Sequence, residues 1–275
     1  ANRLSAAGCH CGPRLRYGCT CAPEDMDEMD LPLLSLVIPA WNEAEQLPRL
    51  FDSIDAARAR WMERGGRAGA IEVIVADNAS SDATAQVAQA RGARVARVDQ
   101  RVIAAARNGG AALARGEILA FVDADSRIHP DTFVAVVAAM ANPRTLGGAT
   151  GVTMERWSLP IALTYAAMLP MIWLTGFDTG VVFWRRSDFV DLGGYDESRL
   201  AAEDVHFLWR LTRMGKGRGQ RLLRLRGVKA VTSTRKFDQY GDWHYLRQMP
   251  RVGWHALTRS GKLDEFVRKY WYEGR

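Results

Sequence analysis

The sequence predicts an α/β fold with a mostly parallel central sheet flanked by helices. Three observations carry that expectation. Short apolar runs alternate with helical patterns of about ten to twenty residues through the first half of the chain, as βαβ units do. The runs are continuously apolar, the pattern of strands buried on both faces. The 275 residues, 48% hydrophobic and 25% charged, suffice for one large domain with a sizeable core, or for two small ones.

The elements follow in order. Residues 1–30 are rich in Gly, Cys and Arg, end in the acidic run Glu24, Asp25, Asp27, Glu28, Asp30, and read as a leader or linker outside the fold. Leu34 to Pro39 reads as a buried strand. Ala40-Trp41-Asn42-Glu43 is a turn in which Asn42 is placed to cap a helix from Glu43 to Glu63, stopped by Gly65-Gly66. A second strand, Ile71 to Ala76, ends at Asp77-Asn78. Ser80-Ser81-Asp82 caps a helix that ends at Gly92, and a third strand covers Arg94 to Val98. The Ala-rich segment 103–115 is helical and Gly116 ends it. Ile118 to Val122 is a further buried strand, and Asp123-Ala124-Asp125 follows it directly.

The second half is less regular. A helix from His129-Pro130-Asp131 to Ala141, a strand near Gly147 to Met154, an apolar segment from Leu159 to Thr175 and a strand from Gly180 to Arg185 come in turn. Ser187-Asp188 caps a short helix closed by Gly193-Gly194. Ala202-Glu203-Asp204-Val205 opens a helix whose apolar face includes Val205, Leu208 and Leu211, with both acids in the first turn, where they complement the helix dipole. The last thirty residues read as one or two C-terminal helices.

The chain carries a formal charge of +6, and the excess is local. Val205 to Lys236 holds ten Lys and Arg and no acid, and acids outnumber bases in the rest. A solvated helix face with a basic hairpin explains this, as does contact with substrate phosphates or anionic headgroups. Phe207 and Trp209 sit within a helical pattern and no nucleic-acid recognition module is visible, so nucleic acid is not an expected partner. The segment 159–175 contains Pro160 and Pro170 and is barely of spanning length, which favours a buried or interfacial helix. All four cysteines, Cys9, Cys11, Cys19 and Cys21, lie in the leader at a C-x-C-x7-C-x-C spacing unlike the usual zinc pattern. A zinc knot, two disulfides and an unstructured leader all stand open. The body has no cysteine and the start has no apolar signal segment, so cytoplasmic residence is expected.

The pair Asp123 and Asp125 ends an apolar strand, where open α/β sheets place their ligands. Two carboxylates there offer hard oxygens to Mg²⁺ or Mn²⁺ held jointly with substrate phosphates; a solvated, turn-forming pair fits the spacing equally. No G-x-G-x-x-G follows the first strand and no G-x-x-x-x-G-K-[ST] occurs, which disfavours dinucleotide-binding and P-loop readings.

In chain order, Ser35 to Glu43, Val73 to Thr84, Ala106-Arg107-Asn108 with Gly110 and Ala114 to Glu117, the Asp123-Ala124-Asp125 step, and Gly193 to Glu197 followed by Glu203-Asp204 resemble the motifs of family 2 inverting glycosyltransferases with the GT-A fold. The resemblance runs from about residue 34 to 212. It implies one Rossmann-like domain over 31–245, with a nucleotide-binding half (31–125) and an acceptor half (126–245), and a helical extension over 246–275. It also implies roles. Asp77 matches the carboxylate that hydrogen-bonds the nucleobase, commonly uracil, and Pro39, Ala40 and Glu43 line the same pocket. Arg107 and Asn108 match positions near the ribose and diphosphate. Asp123 matches the ribose-side carboxylate that also belongs to the metal site, and Asp125 the residue that holds Mn²⁺ or Mg²⁺. The metal offsets charge on the departing nucleoside diphosphate. Asp204 matches the general base of a single displacement; Glu203 and Gly180 fall on the acceptor side.

Departures from the pattern bear on the acceptor. Asp178 to Arg186 lacks the Asn often found there, and the Q-x-x-R-W of processive synthases is incomplete, Gln248-Met-Pro-Arg251 being followed only later by Trp254. A single-addition enzyme is expected, using a nucleotide-sugar donor, with a UDP-sugar the expected one, and a carbohydrate or lipid-linked acceptor, with peripheral contact at the inner membrane face as an option. Arg235 or Lys236 is placed to close over the diphosphate. A nucleotide-sugar-binding protein without turnover and a sugar nucleotidyltransferase are the competing readings. The first need not keep Asp204, and the second wants a Gly-rich basic loop where Trp41-Asn42-Glu43 stands.

Overall fold

A computed structural model describes residues 31–175, 180–199 and 203–248. The cysteine segment 1–30 and most of the expected C-terminal extension lie outside the described residues. The elements run β1 (Leu34–Ala40), α1 (Leu47–Glu63), β2 (Ile71–Asp77), α2 (Thr84–Ala90), β3 (Arg94–Arg97), α3 (Ile103–Leu113), β4 (Ile118–Phe121), β5 (Ser126–Arg127), α4 (Thr132–Met140), β6 (Thr145–Ala149), β7 (Val152–Met154), α5 (Leu159–Thr175), β8 (Val182–Arg185), α6 (Arg186–Asp191), α7 (Glu203–Gly217), β9 (Arg221–Arg224), β10 (Ala230–Thr232) and α8 (Arg235–Tyr240).

Seven strands form one sheet in the order β3-β2-β1-β4-β8-β6-β9, and β5-β10-β7 form a small second sheet. The pairings of β1 with β2 and β4, of β2 with β3 and of β6 with β9 are parallel; β8 runs antiparallel to both its neighbours. All seven residues of β1 are buried, as a continuous apolar strand between two helical layers requires. Its register sets Ala40 opposite Asp77 and Val37 opposite Phe121. The loops after β1, β2 and β4 therefore emerge along one edge.

The one polar side chain in β1, Ser35, is satisfied. Its hydroxyl donates to Glu72 at 2.5 Å and accepts from the Gly116 N–H at 2.8 Å. Gly116 has no room for a side chain, since a Cβ would stand 2.7 Å from the Ser35 nitrogen. Gly116 thus serves this close approach; α3 has already ended at Leu113. Gly109 and Gly110 seat α3 on the sheet in the same way, against Val98 and Val37.

Helices α1 and α4 cover one face of the sheet and α3, α6 and α7 the other. The second layer centres on Phe121, Trp184, Phe189, Tyr195 and Phe207, whose adjacent rings lie 4.8–6.4 Å apart, the range of favourable tilted and offset contacts.

Several local expectations change. Asn42 does not cap α1, which starts at Leu47 with Pro48 in its first turn, where a missing N–H costs nothing. Asp82 binds the Thr84 N–H from just outside α2, and the cap position itself is Ala83. Asp188 lies inside the first turn of α6, buried, with its Oδ1 2.6 Å from Arg218; it is a partner for α7 rather than a cap. The expected strand 147–154 breaks at Gly151, whose φ is +75°, and its halves β6 and β7 join different sheets. The basic hairpin is absent for a similar reason: β9 pairs with β6, and β10 with β5 and β7. Val205 is exposed, and the buried face of α7 is formed by Glu203, Phe207, Leu211 and Gly215.

Candidate active site

The loops after β1 and β2 are fastened to one another by short polar side chains. Asp77 ends β2, is buried, and accepts the Ser80 N–H at 3.1 Å. The Asn78 N–H donates to the Ala40 carbonyl at 2.8 Å, so Pro39, Ala40 and Asp77 share one rim. Asn42 adopts a left-handed φ of +53°, which Asn tolerates better than most residues. Its N–H donates to the Ser80 hydroxyl, and its Oδ1 accepts the Ser81 N–H at 2.9 Å. Asp82 accepts the Ala44 N–H at 3.1 Å as well as bonds from Thr84. Burial works to raise the pKa of Asp82, but the bonds from Thr84 and Ala44 outweigh it and hold the carboxyl below its ordinary value. Arg101 lies over the Trp41 ring at 5.0 Å.

Glu43 is 4% exposed. Its N–H donates to Thr84 Oγ1 at 2.9 Å, and its carboxylate takes both terminal nitrogens of Arg235 at 2.9 and 3.0 Å. Arg235 opens α8, so this fork ties the far end of the chain to the turn after β1. Burial works to lower the Arg235 pKa; the hydrogen bonds and charge of Glu43, with the charge of Asp125, outweigh it and raise it. Arg156 fastens α8 from another side, bonding Asp238 and Asp242 at 2.5–3.0 Å. The bonds from Arg156 and Ser158 hold the Asp242 carboxyl down at about 2.

Asp123 and Asp125 lie just past β4, in a turn closed by the Ser126 N–H on the Asp123 carbonyl at 3.1 Å. The Asp123 side chain is 62% exposed. Asp125 is half-buried and lines a small cleft with Gln46, Arg49, Arg127, Glu155 and Ser233. Among the described residues no three metal-ligating side chains converge. Two carboxylates nevertheless suit Mg²⁺ or Mn²⁺, which are commonly held by one or two carboxylates together with substrate phosphates.

Across the site, Glu203 and Asp204 occupy the first turn of α7. Glu203 is buried; Asp204 is half-buried and its Oδ1 accepts the Val205 N–H at 2.7 Å. Arg107, from α3, reaches Glu203 at 2.9 Å and Asp123 at 3.5 Å. Its guanidinium lies 5.3 Å from the centre of the Tyr195 ring. Burial works to lower the Arg107 pKa, but the surrounding Tyr195, Asp123, Glu203 and Asp204 raise it, and the side chain stays a cation. Asn108 is fully engaged elsewhere. Its amide donates to the Tyr195 carbonyl and to Glu197, and accepts the Tyr195 N–H at 2.9 Å. Gly194, at φ +73°, allows this close approach. Gly180, at φ +100°, packs against Gly151, where a Cβ would collide with the carbonyl oxygen.

The structure thus gathers Pro39, Ala40, Asp77, Glu43 and Arg235 on one side, and Asp123, Arg107, Glu203 and Asp204 on the other. Asn108 and Gly180 hold backbone. The Glu43–Arg235 and Arg107–Glu203 pairs were not anticipated, because partners 192 and 96 residues apart leave no local trace. Tyr195 was also missed as a platform; its place after Gly193-Gly194 was the available signal.

A profile of the family described as Glycosyl transferase family 2 matches residues 35–195. The chain is 36% identical over 119 residues to validoxylamine A glucosyltransferase of Streptomyces hygroscopicus subsp. jinggangensis, covering 41% of this chain and 26% of that one. It is 26% identical over 201 residues to the glycosyltransferase AglE of Haloferax volcanii, covering 67% and 63%. The chain therefore spans less than two thirds of either relative. Among solved structures, the fold is shared with a Pyrobaculum calidifontis mannosyltransferase in complex with GDP-Man and Mn²⁺ (TM-score 0.58, 21% identity, 73% of this chain and 56% of that one). It is also shared with S. aureus TarS in complex with UDP (TM-score 0.54, 17% identity, 76% and 62%).

The Glu43–Arg235 fork yields a stability prediction. Arg235→Met takes the guanidinium from a buried carboxylate and lowers the unfolding free energy by about 1–3 kcal/mol, below the fully buried range because Arg235 is partly solvated. Arg235→Lys recovers part of the loss. Denaturant unfolding checks both, and a Met variant as stable as the parent contradicts the assignment.

Proposed function

Because the chain belongs to glycosyl transferase family 2 and has the GT-A fold, we propose that it moves a sugar from a nucleoside-diphosphate sugar to an acceptor hydroxyl, with inversion at the anomeric carbon. The observation that carries this reading is Arg107. One guanidinium faces Asp123 after β4 and Glu203 in α7, so the donor-side and acceptor-side carboxylates border a single site.

Each residue then has a task. Asp77 accepts a hydrogen bond from the nucleobase, with Pro39, Ala40 and Glu43 shaping that pocket; a UDP-sugar is the favoured donor. Asp125, with Asp123, holds Mn²⁺ or Mg²⁺, which when bound offsets charge on the departing diphosphate. Arg235, held by Glu43, adds a second positive group beside the diphosphate. Asp204 takes the proton of the acceptor hydroxyl as it attacks. Its Oδ2 remains available for this while Oδ1 accepts the Val205 N–H.

The acceptor is proposed to be a carbohydrate or a lipid-linked one, met at the membrane surface. In support, α5 carries no charged residue and leaves Leu159, Leu163 and Leu169 exposed beside Trp157. No helix among the described residues is long and apolar enough to cross a membrane; the contact proposed here is a peripheral one through this face of α5.

Two outcomes follow. With Mn²⁺ and a panel of UDP- and GDP-hexoses, the protein releases nucleoside diphosphate, and Asp204→Asn lowers kcat about 10²–10⁴-fold while donor affinity holds. Donor binding without metal-dependent release, across a broad acceptor panel, favours a binding protein instead. In flotation with liposomes the protein co-migrates, and Leu159→Glu with Leu163→Glu abolishes it; no association at low salt removes the membrane part of the proposal.

A further inference from the structure

Resting on the glycosyl-transfer reading, we propose that Arg107 is a positioning residue: its guanidinium locks the first turn of α7, and so Asp204, in place against the Asp123 end of β4. This differs from the direct donor contact that the family resemblance implies.

The geometry supports the assignment at each contact. Nη1 lies 2.9 Å from Glu203 Oε1 and Nη2 lies 3.5 Å from Asp123 Oδ1. The plane is backed by the Tyr195 ring at 5.3 Å. The Arg107 side chain is only 12% exposed and that of Glu203 only 9%. Four chain segments meet here: α3, the end of β4, the turn after α6 and the start of α7. Two of them are rigid for reasons already visible. Gly109 and Gly110 let α3 sit directly on the sheet, and Asn108 grips the Tyr195 backbone from both sides.

A direct diphosphate contact would draw Arg107 away from Glu203. Glu203 would then be a buried carboxylate without its cation, next in sequence to a second carboxylate, which is a costly arrangement. Burial and the Asp204 charge already push Glu203 upward, against the pull of Arg107. Among the described residues, the titratable groups around Arg107 are Tyr195, Asp123, Glu203 and Asp204, and Arg107 is the one cation in that set. The planar fork matters as well as the charge, because a lysine cannot both stack on Tyr195 and span two carboxylates.

The test uses the full chain with Mn²⁺ and the best donor from the panel. Arg107→Lys lowers kcat by about 10–100-fold, the scale of a small misplacement of reacting groups. Its donor KM, and the calorimetric affinity for the nucleoside diphosphate with Mn²⁺, stay within about threefold. Arg107→Met removes the charge too, so the acidic limb of kcat against pH moves to higher pH, whereas Arg107→Lys leaves it in place. Arg107→Met combined with Glu203→Gln is less impaired than the product of the single effects, since the two residues act as one unit. If Arg107→Met does not fold, the Lys variant carries the test. A loss of nucleotide affinity that matches the loss in kcat/KM assigns Arg107 to the donor and overturns the proposal, as does an unchanged kcat in Arg107→Lys. If the wild-type protein neither binds nor turns over any donor, the glycosyl-transfer reading itself fails, and this inference fails with it.

Discussion

The register of β1 between β2 and β4 is the constraint from which the site follows. β1 is buried along its whole length, and a shift of one residue would turn its Ser35 hydroxyl away from Glu72 and Gly116. Those bonds, with the missing side chain of Gly116, pin the strand lengthwise. Ala40, Asp77 and the turn holding Asp123 and Asp125 are then delivered to one edge, where the loops need only short Asn, Ser, Asp and Thr side chains to join them. The aromatic layer beneath, from Phe121 to Phe207, carries the same register across to α7.

On that frame three charged links do the long-range work. Arg235 bonds Glu43, Arg156 bonds Asp238 and Asp242, and Arg107 bonds Glu203. Each joins segments more than 80 residues apart, and two of the three have a partner exposed by less than a tenth of its side chain. Charges this buried are retained only when paired. The pairs are therefore constraints on geometry as much as sources of stability. Arg235 and Arg107 border the site from opposite sides, each held by a buried carboxylate.

Much of this was legible in the sequence, for identifiable reasons. Continuous apolar runs such as Leu34–Pro39 and Ile118–Val122 have one stable use in a βα alternation, and both became central strands. The aspartates fell at strand ends because that is where such a run stops. The misses were of two kinds. Polar residues near helix starts, Asn42 and Asp188, looked like caps, yet each found a better partner in a distant segment. The strand at 147–154 and the basic hairpin within Val205 to Lys236 failed because sequence shows extended segments without showing their neighbours; Gly151 sends its two sides to separate sheets. Asn108 is the sharpest case. Its motif was visible, but its use as a clamp on Tyr195 depends on a contact 87 residues away.

A single in-line displacement requires donor, acceptor and Asp204 to meet in one site, as proposed. The stereochemistry of the product tests that most directly. With an α-linked nucleotide sugar as donor, proton NMR of the newly formed product, or of the sugar first released to water, should show the β anomer. Formation of the α anomer would contradict the single displacement and the role given to Asp204.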